Sequence, residues 1–366
     1  MLNKSKYYFP QLDSIRGLSF LAVFFFHAFH PQFGTGFLGR MGQYFYNNLF
    51  LSIDVFFILS SFLLTWLGMN EYKAKGNFSF INYFIRRALR IWPLYYLLMV
   101  FSFILLPYVS ARLNVPVTLP PAYYYVFFIS NFYLEGHVYF LRFLWTLSVE
   151  EQFYLVWGLC LLLFQKRILA CVGIFMVVSI AYTIYAIDNK IYYYYNTLAY
   201  LFDFAVGILA AFILQRGNKI VAFFKKMNTL HSFFFLLTLP VIFVLLFLLT
   251  DFGPSRFGPW LDLSGRYIFI VFTGLFIIEQ MVNERSFLKL KSQRFLIYTG
   301  KISYGLYCFH GIVLTFGALV FQKLHISIPL ILQAFVFLII NYTISSISYS
   351  FVERPFLRLK DTLRRI

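Results

Sequence analysis

Charged residues are scarce in this chain, and those that are present are mostly basic. Only 12% of its 366 residues are charged, and 31 lysines and arginines stand against 14 aspartates and glutamates. A soluble domain has about 25% charged residues. Apolar windows of about 20 residues recur from end to end instead, which is the length that a bilayer-spanning helix requires. The scarcity of charge therefore argues against a soluble protein and indicates an all-α, polytopic membrane protein.

Cysteine is rarer still, with three residues, and a cleavable leader is not evident. Cys160, Cys171 and Cys308 lie in apolar contexts and show neither metal-ligand nor disulfide spacing. We interpret them as small buried residues and expect no metal centre. No small-residue cleavage site follows the first apolar span, which predicts that this span is retained.

The distribution of basic residues predicts a topology. We predict ten spans, at about 17–31, 48–69, 91–108, 145–164, 168–187, 196–214, 232–250, 264–282, 299–321 and 329–351. With the N-terminus inside, 24 of the 31 basic residues are cytoplasmic, and seven lie outside: Arg40, Arg112, Arg142, Lys190, Arg256, Arg266 and Lys323. By the positive-inside rule, both termini are then cytoplasmic. The net charge of +17 indicates topology and anionic lipid or cofactor partners, not nucleic acid.

Two stretches between the predicted spans have distinctive compositions. The longest, 109–144, combines several prolines, which break helices, with the aromatic run 123–128. That run is too short to cross a bilayer, so we predict an interfacial or re-entrant element. On the cytoplasmic side, 70–90 is predicted to be the most basic loop. Because no internal repeat is visible, we expect a single domain over residues 1–366.

Arg16 and His27 are ionisable residues in a segment that is otherwise almost wholly apolar. Their spacing of eleven residues corresponds to about three helical turns. Both side chains therefore point the same way, roughly 16 Å apart along the axis. Asp13 extends this stripe toward the cytoplasmic end, and His30 follows His27. A lone histidine is often a packing residue, and Arg16 also suits a positive-inside anchor. Ionisable residues in a span usually face a cavity or substrate path, which favours His27 as a proton acceptor.

Asp54 lies near the outer end of the second predicted span, where an unpaired carboxylate is expensive. Two interpretations are open. Asp54 forms an interhelical ion pair or hydrogen bond, or it orients a catalytic imidazole, as a carboxylate does in other acyl-transfer sites. The nearby Ser60 and Ser61 are interpreted as small helix-contact residues rather than as nucleophiles.

Arg87 and Arg90 lie one helical turn apart at the cytoplasmic mouth of the third predicted span. Two guanidinium groups on one face suit a phosphate-rich ligand. Arginines before a span also serve topology alone, so both interpretations stay open. Pro93 is expected in the first turn of this span, where its missing N–H costs little.

The segment Trp145–Tyr154 opens the fourth predicted span with two adjacent carboxylates, Glu150 and Glu151. Neighbouring residues on a helix point about 100° apart, so these two cannot share one role. We expect one to face a cavity and the other to cap the helix N-terminus, where negative charge is favourable. Trp145, at the outer face, is a candidate substrate-binding residue.

Tyr304, Tyr307 and His310 repeat every three residues in the ninth predicted span and form a polar stripe. Such a stripe joins helices by hydrogen bonds or lines a path through the bundle. We include all three residues among the candidates for substrate binding. Glu353 and Arg354, at the end of the last span, are interpreted as an anchor at the inner interface.

Six segments, taken in order, resemble the membrane acyltransferase-3 family. They are Leu12–Gly17 with His27, Asp54–Ser60, Arg87-x-x-Arg90 before Pro93, Trp145–Tyr154, Ile302–His310 and Glu353–Phe356. Each segment is weak alone, but their order on the expected helices makes the resemblance specific. Ser14, Ser61 and Phe309 stand where the family usually has glycine, glycine and tryptophan.

The resemblance implies a ten-helix unit that takes an acyl group, commonly acetyl, from acyl-CoA at the cytoplasmic face. The unit delivers that group to a carbohydrate hydroxyl, often outside the cell. By the same resemblance, Arg16 and His27 are the essential pair. Arg87 and Arg90, with Arg16, are then expected to hold the coenzyme.

A carboxylate is expected to orient and stabilise the imidazolium of the catalytic histidine, and the candidates are Asp54, Glu150 and Glu151. Two routes stay open at this point. The histidine deprotonates the sugar hydroxyl directly, or it carries the acyl group transiently.

The expected setting is the cytoplasmic membrane of a bacterium, with membrane lipid and a surface or lipid-linked carbohydrate as partners. Longer members of the family carry a C-terminal soluble esterase-like domain, whereas this chain stops after the tenth predicted span. We therefore expect the acceptor to reach the membrane core, or a separate envelope-assembly protein to complete the transfer. The competing interpretation is a glycan or glycolipid transporter or flippase, which intramembrane charge would also serve.

Overall fold

A computed structural model describes residues 8–29, 31, 33–113, 117–133, 138–254 and 257–363. His30 and Arg256 lie outside the described residues. The helices are α1 (Pro10–Ala28), α2 (Phe37–Asn47), α3 (Ser52–Lys75), α4 (Phe80–Val100), α5 (Leu106–Leu113), α6 (Tyr123–Val126), α7 (Tyr139–Arg142), α8 (Trp145–Leu163), α9 (Ile168–Asp188), α10 (Leu201–Arg216), α11 (Lys219–Lys226), α12 (Thr229–Phe252), α13 (Gly258–Val282), α14 (Arg294–Lys301), α15 (Ser303–Lys323), α16 (Leu330–Ser348) and α17 (Arg354–Leu363).

Within these described residues, nine helical runs are long and apolar enough to cross a membrane: Phe37–Lys75, Phe80–Arg112, Tyr139–Leu163, Gln165–Asp188, Thr197–Arg216, Thr229–Phe252, Gly258–Val282, Ser303–Lys323 and Leu330–Leu359. They coincide with nine of the ten predicted spans, which confirms the all-α membrane fold. The predicted span 17–31 overlaps α1, which is not among the nine. Charged residues occupy one end of α1 and an imidazole lies near the other end. The mean hydropathy of α1 is therefore lower than that of the nine runs.

The corner between α3 and α4 corrects two predictions. The predicted loop 70–90 is mostly helical, because α3 runs to Lys75 and α4 begins at Phe80. Gly76 ends α3 with a φ of 74°, a left-handed conformation that glycine adopts without a steric penalty. Pro93 was expected in the first turn of its span, but it lies inside α4. The basic residues of this corner therefore stand on rigid helices rather than on a loop.

The aromatic run 123–128 folds back against the helix bundle. Its single turn α6 places Tyr125 fully inside, where the Tyr95 hydroxyl donates to the Tyr125 carbonyl at 2.8 Å. Phe128 stacks on Tyr95 with ring centroids 4.4 Å apart, and its carbonyl accepts from Gln152 at 2.9 Å. The run is thus tied to α4 and α8. Its placement at a membrane interface stays a prediction.

Small residues let α1 and α3 approach their neighbours closely. A Cβ at Gly300 of α14 would lie 1.8 Å from the Asp13 carbonyl oxygen of α1, and one at Gly207 of α10 would lie 2.0 Å from Ser61 Oγ. Backbones meet at this distance only where one side chain is missing. Ser61 is buried and contacts the neighbouring helix α10, as predicted. The contact at Gly300 brings α14 close to the part of α1 that holds Asp13.

Candidate functional site

Two adjoining clefts open among α1, α3, α4 and α15. The larger, which we call the basic cleft, has a volume of about 560 Å³ and is lined by eight cationic side chains: Arg16, Lys75, Arg86, Arg87, Arg90, Lys301, Arg354 and Arg358. The smaller, the inner cleft, is narrow, with a volume of about 70 Å³. Four residues line both clefts: Arg16, Arg87, Arg90 and Tyr304. The two clefts are therefore neighbours that share a wall.

Arg16 lies in that shared wall, with 8% of its surface exposed. Its Nη1 atom is 3.5 Å from Oδ1 of Asp13, one turn earlier on the same face of α1. The sequence places Arg16 eleven positions before His27 and far from Arg87 and Arg90 in the chain. The common lining places Arg16 beside Arg87 and Arg90, and the coenzyme-binding role of the three arginines stays a prediction.

Arg87 and Arg90 face the clefts from the middle of α4. The Arg87 guanidinium carbon lies 5.9 Å from the ring centroid of Tyr154, a cation–π distance. The preceding Arg86 is neutralised separately, since its Nη2 atom bonds Glu71 at 2.7 Å. Among the described residues, no carboxylate lies within 4.0 Å of Arg87 or Arg90. Their charge is thus available to an anionic ligand.

Glu150 and Glu151 separate as their helical spacing predicts. Glu150 lines the inner cleft, where Ser60 donates to Oε1 at 2.8 Å and Tyr154 donates to Oε2 at 2.8 Å. Glu151 is 7% exposed and lies on another face, beside Trp92. The expectation that one of them caps the helix was wrong, because α8 begins at Trp145 and both lie beyond its first turn.

His27 meets a second imidazole near the end of α1. Its ring stacks on His310 of α15 with centroids 5.3 Å apart, and Phe143 packs against both. His310 is fully buried, and its Nδ1 atom hydrogen-bonds the Tyr307 carbonyl. A carbonyl only accepts, so Nδ1 carries the hydrogen and Nε2 keeps a lone pair. The structure therefore gives His310 one tautomer and places it against the predicted catalytic histidine.

The stripe on α15 connects the clefts to this pair of imidazoles. Tyr304 lines both clefts and donates to the Ile91 carbonyl at 2.6 Å. Tyr307 lines the inner cleft and donates to the Phe143 carbonyl at 2.9 Å. The next member, His310, contacts the Tyr307 ring at 5.2 Å. Tyr304 and Tyr307 thus join helices and line a cleft at once, whereas His310 is buried and lines neither of these two clefts. The substrate-binding role of all three residues stays a prediction.

Trp145 lies away from this stripe. Its ring packs against Tyr194, Tyr195 and Tyr200, with centroids 5.0 to 5.6 Å apart, and 5% of its surface is exposed. The inner cleft is lined instead by the next two residues, Thr146 and Leu147. The structure thus places Trp145 in a buried aromatic cluster and not in either cleft.

Asp54 forms the interhelical ion pair that was one of its two interpretations. Arg266 of α13 donates to both oxygens of Asp54, at 3.2 and 3.4 Å, and to Asp203 of α10 at 2.7 Å. The same guanidinium lies 4.7 Å from the ring centroid of Tyr200. Asp54 is therefore occupied by a buried charge cluster, and its proposed action on a catalytic imidazole has no support in this geometry.

Several residues of the site were missed from the sequence. Asp203 and Arg266 are ions within apolar helices, a signal that applied to them as it did to Asp54. Tyr154 and Ser60, which hold Glu150, and Lys301, which lines the basic cleft, have no local pattern that marks them. Their roles depend on which helices meet.

Comparison with known proteins gives consistent matches. The model of the Acyltransferase domain family matches residues 9–350. The peptidoglycan O-acetyltransferase OatA of Listeria monocytogenes is 27% identical over 379 residues, covering 96% of this chain and 56% of the relative. YrhL of Bacillus subtilis, to which the same activity is provisionally assigned, is 27% identical over 374 residues, covering 95% of this chain and 55% of the relative.

The chain spans a little over half the length of these curated relatives. No solved structure matches it. The similarity covers nearly the whole of this chain, and the arrangement of its side chains comes from the geometry above.

Proposed function

The chain belongs to the membrane acyltransferase-3 family, and from this premise we propose that it is an O-acyltransferase. It takes an acyl group from acyl-CoA on the cytoplasmic side and delivers it to a hydroxyl of an envelope carbohydrate. The proposed acyl group is acetyl, which is the common one in the family. The observation that carries the proposal is the wall shared by the basic and inner clefts. The name of the Listeria relative supports a cell-wall glycan as acceptor.

The basic cleft suits the nucleotide end of the donor. Coenzyme A carries several phosphates at one end and a thin arm that ends in the thiol. Arginine forks bind phosphate in a bidentate manner, and eight cations against three carboxylates leave the cleft basic. With its phosphates at Arg87 and Arg90, the donor extends its arm past Tyr304 into the inner cleft.

The reaction itself is assigned to His27. The acyl arm points along Tyr307 toward the two stacked imidazoles. His27 accepts the proton of the sugar hydroxyl while the hydroxyl oxygen attacks the thioester carbon. A C–O bond forms and the C–S bond breaks. The proton then passes to the departing thiolate, so acyl ester and free coenzyme A are the products.

Arg16 and Glu150 are assigned supporting roles in the inner cleft. Arg16, about 16 Å along α1 from His27, lies beside Arg87 and Arg90 and is assigned to holding the anionic coenzyme rather than to the reacting carbonyl. Glu150, held by Ser60 and Tyr154, offsets the guanidinium charge of the shared wall when no donor is bound. His310 acts on His27 through ring contact and not through a charge.

The assignment is tested by acyl transfer in liposomes that contain the purified protein, with acetyl-CoA and cell-wall oligosaccharides. We expect acetylated glycan and free thiol in equal amounts. His27→Ala should lower the transfer rate by a factor of about 10² to 10⁴, the usual contribution of a general base. His231→Ala is the matched control, because His231 is an exposed histidine at the start of α12.

Two outcomes would count against the proposal. Transfer at the unsubstituted rate in His27→Ala would remove the catalytic role of this histidine. No acetyl transfer and no coenzyme A binding by the unsubstituted protein would favour a transporter or flippase instead.

A further inference from the structure

An exposed ring lies near His27, with one buried ring between them. Phe143 packs against His27 at 4.4 Å and against Tyr139 of the single turn α7 at 5.0 Å. Tyr139 is 41% exposed. Arg16 and His27 are separated by about three turns of α1, so His27 lies about 16 Å along the axis from the wall of the basic cleft. Tyr139 is therefore an exposed group near the His27 end of α1 and not near the basic cleft.

Arg142 stands one turn from Tyr139 and carries a charge that no described residue neutralises. Its Nε atom donates to the Tyr195 hydroxyl at 3.0 Å, and its guanidinium carbon lies 5.8 Å from the centroid of that ring. No carboxylate of a described residue lies within 4.0 Å of it. By contrast, Arg40 and Arg266, also predicted to be outside, are each paired with aspartate.

The position of this guanidinium is fixed by a buried partner. Tyr195 is 7% exposed, its ring packs on Trp145 at 5.0 Å, and its carbonyl accepts from Asn131 at 3.1 Å. Arg142 is nevertheless exposed. A held guanidinium loses less conformational entropy when it binds an anion than a free one does. Arg142 is therefore prepared for an anionic ligand.

Resting on the proposed function, we propose that Tyr139 and Arg142 form the acceptor subsite and that the acceptor is an anionic glycan. The face of one sugar stacks on Tyr139, its carboxylate or phosphate pairs with Arg142, and a hydroxyl of that sugar reaches His27. An aromatic face beside a guanidinium matches a ligand with one apolar face and one anionic group. A lipid phosphate would engage Arg142 but leave the Tyr139 ring without a partner.

The subsite is tested by glycan binding to the protein in phosphatidylcholine nanodiscs without any acyl donor. The probes are a uronate-bearing oligosaccharide, its carboxyl-reduced neutral counterpart, and an oligosaccharide that carries phosphate. We expect at least one charged probe to bind more tightly than the neutral one. Arg142→Gln should weaken that binding about tenfold, the effect of losing one charge-assisted hydrogen-bonded pair, and should not alter the neutral probe. Arg142→Lys should keep part of the difference.

Matched variants separate this effect from misfolding. Arg40→Gln removes another outer arginine, which is already paired with Asp251, and should leave binding unchanged. Tyr139→Ala should weaken the binding of all probes, and Tyr139→Phe should restore it, because stacking needs only the ring.

Equal binding of charged and neutral probes by the unsubstituted protein would overturn the proposal, as would an Arg142→Gln variant that binds normally. The preferred charged probe identifies the group as carboxylate or phosphate. If the protein binds the charged probe through Arg142 but transfers no acyl group, the proposed function is wrong and the subsite proposal stands.

Discussion

The arginine–aspartate contacts of Arg266 and of Arg40 differ mainly in their surroundings. Arg266 and its partners Asp54 and Asp203 have side chains that are 8%, 2% and 0% exposed. The side chain of Arg40, which pairs with Asp251 at 2.7 Å, is 47% exposed. Water and ions screen the exposed pair, whereas the buried carboxylates have only the guanidinium to compensate their charge. The same pair of residue types therefore has different effects on stability.

We expect Arg266→Met to be strongly destabilising. It leaves two carboxylates buried without a cation, and removing one partner of a buried pair costs about 3–5 kcal/mol. Thermal unfolding in detergent measures the effect as a fall in the unfolding midpoint. Arg40→Met is the control and should leave the midpoint nearly unchanged. Equal unfolding midpoints for Arg266→Met and Arg40→Met would show that the buried cluster contributes little to stability.

At the level of whole elements, the crossing of α1 and α14 positions the site. α1 carries both Arg16 and His27, and its N-terminal half packs against α14 without a side chain at Gly300. Ser14 of α1 adds a hydrogen bond to the Leu290 carbonyl at 2.8 Å. A shift of this crossing would move Arg16 relative to α4, so packing and donor binding should change together.

Gly300→Ala tests this crossing. The added Cβ would lie 1.8 Å from the Asp13 carbonyl oxygen, and overpacking of this kind costs about 1–3 kcal/mol. We expect a lower unfolding midpoint and a higher KM for acetyl-CoA. Gly173→Ala, in α9, is the control, because a Cβ there meets nothing within 4 Å and alanine favours a helix. A normal KM in Gly300→Ala would show that Arg16 does not depend on the crossing.

At the scale of the whole molecule, charge is distributed unevenly between the two ends of the site. Eight cations line the basic cleft at one end, whereas Arg142 is the cation placed beside the aromatic surface next to His27 at the other. On the proposed function, an anionic donor is drawn to the basic cleft and the acceptor meets the surface at Tyr139 and Arg142. This division suits the proposed reaction, in which the two substrates approach His27 from opposite ends.

The double variant Arg87→Gln, Arg90→Gln tests the donor side of this division. With acetyl-CoA, KM should rise at least about tenfold, since two charge-assisted contacts are lost. With acetyl-pantetheine, which lacks the nucleotide phosphates, KM should stay unchanged. The steady-state rates of thiol release provide both values. Added salt should reduce the difference between the unsubstituted protein and the variant, because ions screen the cleft.

An equal rise in KM for acetyl-CoA and acetyl-pantetheine would contradict the docking assignment, because it would place the two arginines near the arm or the thioester. The double variant Lys225→Gln, Lys226→Gln, in α11, is a control for net charge, since these lysines do not line either cleft.

The pattern of residues predicted the fold class and which candidate residues share a helix face. Apolar windows and the distribution of basic residues predicted the membrane bundle, because the bilayer constrains each helix separately. Spacing within a helix predicted which residues share a face. This applies to Arg16 with His27, and to Tyr304, Tyr307 and His310. A helix has a fixed period, so any two positions on it have a known relative direction.

The partner that each candidate residue meets follows from the packing of the helices. Asp54 meets Arg266 rather than an imidazole, Glu150 faces the inner cleft while Glu151 does not, and His310 stacks on His27. These outcomes depend on the rotation and crossing of helices that are far apart in the chain. Contacts between small residues, such as Gly300 against the Asp13 carbonyl, set those rotations, and no local pattern encodes them.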